Sequence, residues 1–332
     1  ALQTKAIQEL ASGLEELEEQ VQRNTKTIAT HDKRIKTLEM ERIPENRKES
    51  PAWPRQIESN DPFFTGHEEL IESLHNRMNT ERAGKAICQD ILRGLGGIGK
   101  TAIVKQYARI YREEYSGGVF WVSTDTIDSI GASFRGIASV DLKMEGLGKD
   151  TTIKEIIGFV LKWFQDHRNW LIIYDNADDL GLLTSHVPDK HALGHVLLTT
   201  RAKQDSNEFA TLGFDAKKDI ISISTLPQGT AETLLLRVAG HDEDVEKQEG
   251  ENANALKWLA GPDGLAGLPL ALRQAGSFVR ERGMSWAEFK TAYLQKRTEL
   301  FDGTEMRESK DKGRLFKWLE TQGLQNHVAD LN

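Results

Sequence analysis

The sequence predicts an α/β fold: a doubly wound parallel sheet, followed by a small all-helical domain and preceded by an N-terminal coiled coil. Three observations predict it. Short β-rich apolar runs alternate with helical patterns between residues 61 and 225, one strand-to-helix junction carries a glycine-rich phosphate-loop pattern, and residues 7–38 keep a heptad spacing.

The heptad has Ile7, Leu14, Val21, Ile28 and Ile35 at the a positions and Leu10, Leu17, Asn24, His31 and Leu38 at d. A strict 3.5-residue period over this length points to a coiled coil over residues 1–43, against the alternative of one amphipathic helix packed on a folded domain. Pro44, Pro51 and Pro54 among polar residues then describe a linker over 44–60. Within the P-loop domain, 61–225, strands are expected at Ala86–Leu92, Gly118–Val122, Trp170–Tyr174, His195–Thr199 and Asp219–Ser224. Helices are expected after Gly99, over 126–138 and over Ile153–Phe164. Beyond residue 225 strand signals stop, and helical patterns at Gln228–Val238, Ala253–Leu259, Leu268–Arg282 and Ser285–Phe301 mark a helical domain, 226–305. Residues 306–332 are a tail or the start of a further domain. No repeat of 20 to 50 residues is visible.

Composition narrows the function classes. Lys and Arg total 43 against 51 Asp and Glu in 332 residues, a net charge of -8, so no basic excess invites a nucleic-acid backbone or an anionic membrane. Cys88 is the only cysteine and has no intrachain disulfide partner, which points to a reducing compartment, the cytoplasm by default. No apolar stretch approaches the roughly 20 residues a membrane helix needs, so no membrane span is expected. The chain begins at Ala1 and ends at Asn332 without a domain-closing pattern, which reads as an excerpt of a longer protein.

The sharpest signal is Gly94-Leu95-Gly96-Gly97-Ile98-Gly99-Lys100-Thr101, which satisfies G-x-x-x-x-G-K-[ST] between an apolar strand and a helix. Its glycines let backbone N–H groups from Gly94, Gly96, Gly97, Ile98, Gly99 and on to Ala102 face phosphates, and the helix presents its positive end to them. Lys100 is expected to reach the β- and γ-phosphates and Thr101 to bind Mg²⁺. A second acidic metal partner belongs at the end of another apolar strand, and Asp175 closes Trp170–Tyr174; on its own such an Asp equally caps a turn. Arg201 follows the strand ending Thr199-Thr200 and would sense the γ-phosphate, the alternative being a solvated strand-end arginine. Asn176, next to Asp175, orients water but does not take its proton at neutral pH, so Asp178 or Asp179 would have to supply that function.

With these motifs in order, the chain resembles the NB-ARC family of STAND nucleotide switches. The resemblance covers residues 61–300 and includes Phe64-Thr65-Gly66-His67-Glu68, Tyr174-Asp175-Asn176-Ala177-Asp178, Thr199-Thr200-Arg201 and Gly267-Leu268-Pro269-Leu270-Ala271-Leu272. It implies that Pro269 packs against an adenine and that Phe64 and Thr65 flank it. The Tyr-Asp-Asn form is most similar to the fungal and animal branch that carries tetratricopeptide repeats. His67 stands where the family has an arginine, and the family's winged-helix domain is not recognisable before the chain ends.

The function so implied is an ATP/ADP-binding switch of signalling or innate-immunity type. It would be a slow Mg²⁺-dependent ATPase that controls domain arrangement and oligomerisation, self-associates through the coil and works with protein effector or sensor domains, with no nucleic acid partner. The alternatives are an ADP-locked scaffold acting through the coil and an AAA+-like motor.

Overall fold

The computed structural model describes residues 52–58, 61–81, 88–93, 97–148, 150–189, 192–202, 207–241 and 250–301. The predicted coil, most of the linker, Gly94, Gly96 and the C-terminal tail lie outside the described residues.

Five strands form one parallel sheet: β1 (Cys88–Arg93), β2 (Gly118–Ser123), β3 (Arg168–Asp175), β4 (Leu193–Thr200) and β5 (Ile220–Ser222). Their order is β2-β3-β4-β1-β5, so β4 stands between the strand that enters the phosphate loop and the strand that ends at Asp175. Each overlaps its expected run, with β1 to β4 reaching one or two residues past it and β5 lying inside it. β5 begins one residue late because the backbone N–H of Asp219 donates to the Asp215 carbonyl, while the Asp219 carboxylate accepts from the Asp215 N–H, closing a turn before pairing starts.

The central strands are apolar on both sides, as a sheet covered by helices on both faces requires. One face carries Phe120, Val122, Ile172, Tyr174, Val196 and Leu198. It packs on α4 (Ile127–Gly136) and α5 (Ile153–Asp166) through Ile130, Phe134, Ile156, Val160 and Phe164. The other face carries Val119, Trp121, Leu171, Ile173 and Leu197. It packs on α2 (Glu68–Glu81) and α3 (Lys100–Ile110) through Ile71, Leu74, Ile103, Val104 and Tyr107. Preceding α2 is one short turn, α1 (Arg55–Glu58). The sequence reading did not include α2, although Ile71, Leu74 and Met78 carry its helical spacing.

After the short α6 (Glu208–Thr211) and β5, four helices follow: α7 (Gln228–Ala239), α8 (Gly250–Ala260), α9 (Pro269–Arg282) and α10 (Trp286–Phe301). They share a separate core that includes Leu235, Leu259, Leu272, Trp286 and Phe289. Their borders follow local chemistry. Pro269 sits in the first turn of α9, where a missing N–H costs nothing, and Gly240 and Gly283 end α7 and α9 in the left-handed conformation.

Candidate phosphate and metal site

The site is built at the carboxyl ends of β2, β3 and β4, beside the start of α3. Gly97 and Gly99 have φ of 76° and 99°, a region that side chains rarely tolerate, and the helix starts at the next residue, Lys100. Ile98 buries its side chain in the core beneath α3, which leaves only its backbone to the loop. Lys100 is buried. Burial pushes its ammonium below the usual lysine range, and the Asp178 carboxylate opposes that shift.

Thr101 Oγ1 donates to both carboxylate oxygens of Asp175, at 2.9 and 3.1 Å. Asp175 is 8 % exposed and also accepts from Thr199 Oγ1 at 2.6 Å. Burial raises its pKa, against the opposing pull of the two hydroxyls and Lys105. A carboxylate so placed is stabilised by a cation arriving beside it. Its backbone carbonyl accepts from the N–H and the hydroxyl of Thr124, which locks the end of β3 to the end of β2.

Beyond Asp175 the chain turns sharply. Asn176 has φ of 62°, its N–H donates to Thr199 Oγ1 at 3.0 Å, and its side-chain amide donates to Asp125 at 3.2 Å. Two residues on, Asp178 closes on Arg201. The arginine backbone N–H donates to Oδ1 at 2.7 Å, while Nε and a terminal guanidinium nitrogen donate to Oδ2 at 2.7 and 2.5 Å. Burial alone would raise the Asp178 pKa, but these bonds and the guanidinium charge hold it below the usual carboxylate range.

The helical unit reaches the same place. Leu270 N–H donates to the Gly97 carbonyl at 3.2 Å, and a Cβ added at Gly97 would lie 3.1 Å from the Leu270 side chain. Pro269 Cγ lies 3.9 Å from where a Cβ on Gly99 would be. Gly267, with φ of 65°, accepts from Leu226 N–H at 2.9 Å, and a Cβ there would come within 2.4 Å of the Leu226 carbonyl oxygen. The segment holding Phe64 and Thr65 is wedged between the two units: Phe63 packs on the helical core and Phe64 on the core beneath α3. Thr65 is half-buried beside Gly66, where a Cβ would strike Leu226. Next to it His67 adopts φ of 65° and its Nε2 is buried without a hydrogen-bond partner.

The structure thus brings Lys100, Thr101, Asp175, Asp178 and Arg201 to one sheet edge and sets Pro269 against the end of the phosphate loop. Sequence reasoning missed Thr124, Asp125 and the hydroxyl of Thr199 as parts of this site. Thr199 lay within a recognised motif, whereas nothing local marks Thr124 or Asp125.

No family model matches the chain. It aligns at 24% identity with a nucleotide-binding leucine-rich repeat (NLR)-like protein of Hyaloscypha variabilis, over 246 residues that cover 69% of this chain and 23% of that protein. It aligns at the same identity with the regulatory protein AfsR of Streptomyces griseus, over 232 residues covering 69% of this chain and 22% of the relative. The chain therefore spans less than a quarter of the length of these relatives. Among solved structures, Cdc6p from Pyrobaculum aerophilum matches with a TM-score of 0.50 at 12% identity, over 82% of this chain and 85% of that one, a likeness of fold alone. The resemblance carried by the motifs is consistent with these alignments: over most of its length the chain is similar to an NLR-like nucleotide-binding protein, and its fold is that of a P-loop ATPase.

Proposed function

We propose that the chain binds ATP or ADP with Mg²⁺ at the edge formed by Gly97–Ala102, Asp175 and Arg201, hydrolyses ATP slowly, and uses the bound nucleotide to set how the helical unit sits on the sheet. The observation that carries this reading is the pairing of Thr101 and Asp175, from a helix start and a strand end 74 residues apart in the chain. Both offer hard oxygen donors, the ligands Mg²⁺ takes. When bound, the ion would neutralise charge on phosphate oxygens. Lys100 lies at the positive end of α3, where phosphate binding is favoured, and Arg201 stands at the end of β4. The Leu270-to-Gly97 bond ties α9 to the loop, so a ligand that shifts the loop biases the helical unit.

The reading extends to a signalling or innate-immunity switch in the cytoplasm that works with protein effector or sensor domains. The NLR-like relative and the lone Cys88 support this. No described helix is long and apolar enough to cross a membrane. Self-association rests on the heptad of residues 7–38, and sedimentation of a peptide spanning 1–43 as a monomer at high micromolar concentration would remove that part.

Calorimetric titration with ATP and ADP tests the core of the proposal. Lys100→Ala is expected to abolish binding of both, because it removes the loop's cation. Thr101→Ala and Asp175→Ala are expected to weaken binding in Mg²⁺ more than in EDTA. Unchanged affinity in Lys100→Ala would overturn the assignment.

A further inference from the structure

Arg201 was expected to meet a γ-phosphate, yet the chain supplies it with a carboxylate. Asp178 uses both oxygens on Arg201: Oδ1 on the backbone N–H, and Oδ2 on Nε and a terminal nitrogen. That carboxylate is aimed by its backbone. Asp178 N–H donates to the Asn176 carbonyl at 2.8 Å, Ala177 N–H donates to the Thr199 carbonyl at 2.8 Å, and Thr200 Oγ1 donates to the Ala177 carbonyl at 2.6 Å. The turn after β3 is thereby stitched to β4 through both backbone groups of Ala177, immediately before the carboxylate.

The same carboxylate also acts on the phosphate loop. Burial holds the Lys100 ammonium below the usual lysine range and the Asp178 charge opposes this, while Lys100 in turn favours the ionised Asp178. One anion therefore stands within electrostatic reach of two cations, one from the start of α3 and one from the end of β4. An incoming terminal phosphate would meet the same pair.

We propose that Asp178 is a specificity-determining residue, a γ-phosphate surrogate within the chain that engages Arg201 when a diphosphate is bound and has to yield it to a triphosphate. The inference rests on the nucleotide-binding reading above and deepens it. ADP leaves the carboxylate–guanidinium pair intact. ATP brings a second anion to the same cations, so its binding includes the cost of parting the pair and of placing a phosphate beside a carboxylate.

Titration calorimetry of the full chain with MgADP and with a non-hydrolysable Mg-ATP analogue tests this through the ratio of the two dissociation constants. Asp178→Asn keeps an acceptor for the Arg201 N–H but removes the charge. It is expected to shift the ratio about tenfold toward the triphosphate, the scale of one charge-assisted bond at a partly exposed site. Arg201→Ala should shift it the opposite way. In the Arg201→Ala background Asp178→Asn should move the ratio less than it does in the wild type. A ratio within twofold of wild type in Asp178→Asn overturns the proposal, as does an equal loss of affinity for both nucleotides. If Asp178→Asn does not fold, the direction of the Arg201→Ala shift decides instead, and no shift there overturns the idea. Wild type that binds neither nucleotide removes the nucleotide reading itself, and this inference with it.

Discussion

At the residue scale, the site depends on side chains whose neighbours come from other strands. Asn176 illustrates this. In the sequence it is the neutral residue after the aspartate expected to bind metal, and converting it to a carboxylate looks like a gain for hydrolysis. In the structure its amide donates to Asp125 and its backbone is in the left-handed region, which Asn and Asp both tolerate. Asn176→Asp would therefore set two carboxylates against each other, replacing a hydrogen bond with a repulsion. The expected outcome is a melting temperature lower by a few degrees and single-turnover hydrolysis no faster than wild type, measured by thermal unfolding and rapid quench. A severalfold faster hydrolysis would show that Asp125 does not constrain this position. Lys105 carries a similar lesson. Its ammonium lies 5.7 Å from the Trp121 ring centre and its charge acts on Asp175, although no motif marks it.

At the element scale, borders are set by capping and by close approaches. Thr126 with Ser129, Thr152 with Glu155 and Ser285 with Glu288 pair side chain to backbone in both directions, at the starts of α4, α5 and α10. In β3, Asn169 has φ of 57° and the register with β4 shifts between Arg168 and Leu171. This bulge lays Trp170 over Gly194, where a Cβ would come within 2.1 Å of the indole. After α4 the helix widens into a π-turn over Ile137–Asp141, which half-buries Asp141 at its end. Burial pushes that carboxyl from 3.8 up to about 6. Below 3.8 the group is protonated in both states and costs nothing. As pH rises toward 6 the unfolded chain releases the proton first, so stability falls across that window and stays lower above it. Asp141→Asn is therefore expected to gain about 1 kcal/mol at pH 7 and nothing at pH 3.5, a figure discounted for partial exposure. Denaturant unfolding at the two pH values checks it, and an equal gain at both would assign the effect to packing.

At the scale of the whole molecule, the core of the four C-terminal helices meets the sheet and its flanking helices through a few contacts. Leu270 and Gly97 share a backbone bond, Leu226 packs against Gly66 and bonds to Gly267, and Arg273 in α9 pairs with Asp61 at 2.5 Å. Both side chains of that pair are largely shielded, at 15% and 22% exposure, so it is worth more than a surface pair. Asp61 also stabilises the charge of Arg109 on α3, and Arg109 Nε donates to the Ile57 carbonyl at 3.0 Å. The expected coupling in a double-mutant cycle of Asp61→Ala and Arg273→Ala is about 1 to 3 kcal/mol, measured by denaturant unfolding. A coupling near zero would leave the backbone bond and the glycine contacts as the tie between the units. The proposed slow hydrolysis belongs at this scale as well, because a protein acting as a switch would have to persist in one state long enough to be sensed. Single-turnover rates well below about one per second are expected, against motor-like turnover of ~1 to 10³ per second.

The sequence by itself determined what local pattern can encode. Alternation of β-rich runs with helices placed all five strands, because burial on both faces of a sheet demands continuous apolar runs there. The glycine pattern before Lys100 and the apolar run before Asp175 marked both halves of the site, because left-handed turns and strand-end carboxylates are local requirements. The helix Glu68–Glu81 was legible in the spacing of Ile71, Leu74 and Met78 but stood close behind a proline-rich segment. What only the tertiary structure decided was which strand ends became neighbours. The insertion of β4 between β1 and β3 sets Thr199 on Asp175 and Arg201 on Asp178, and the end of β2 brings Asp125 to Asn176. The seating of Leu270 on Gly97 likewise depends on how the helical core meets the sheet. Such contacts join residues far apart in the chain through strand order and packing, and no spacing along one segment records either.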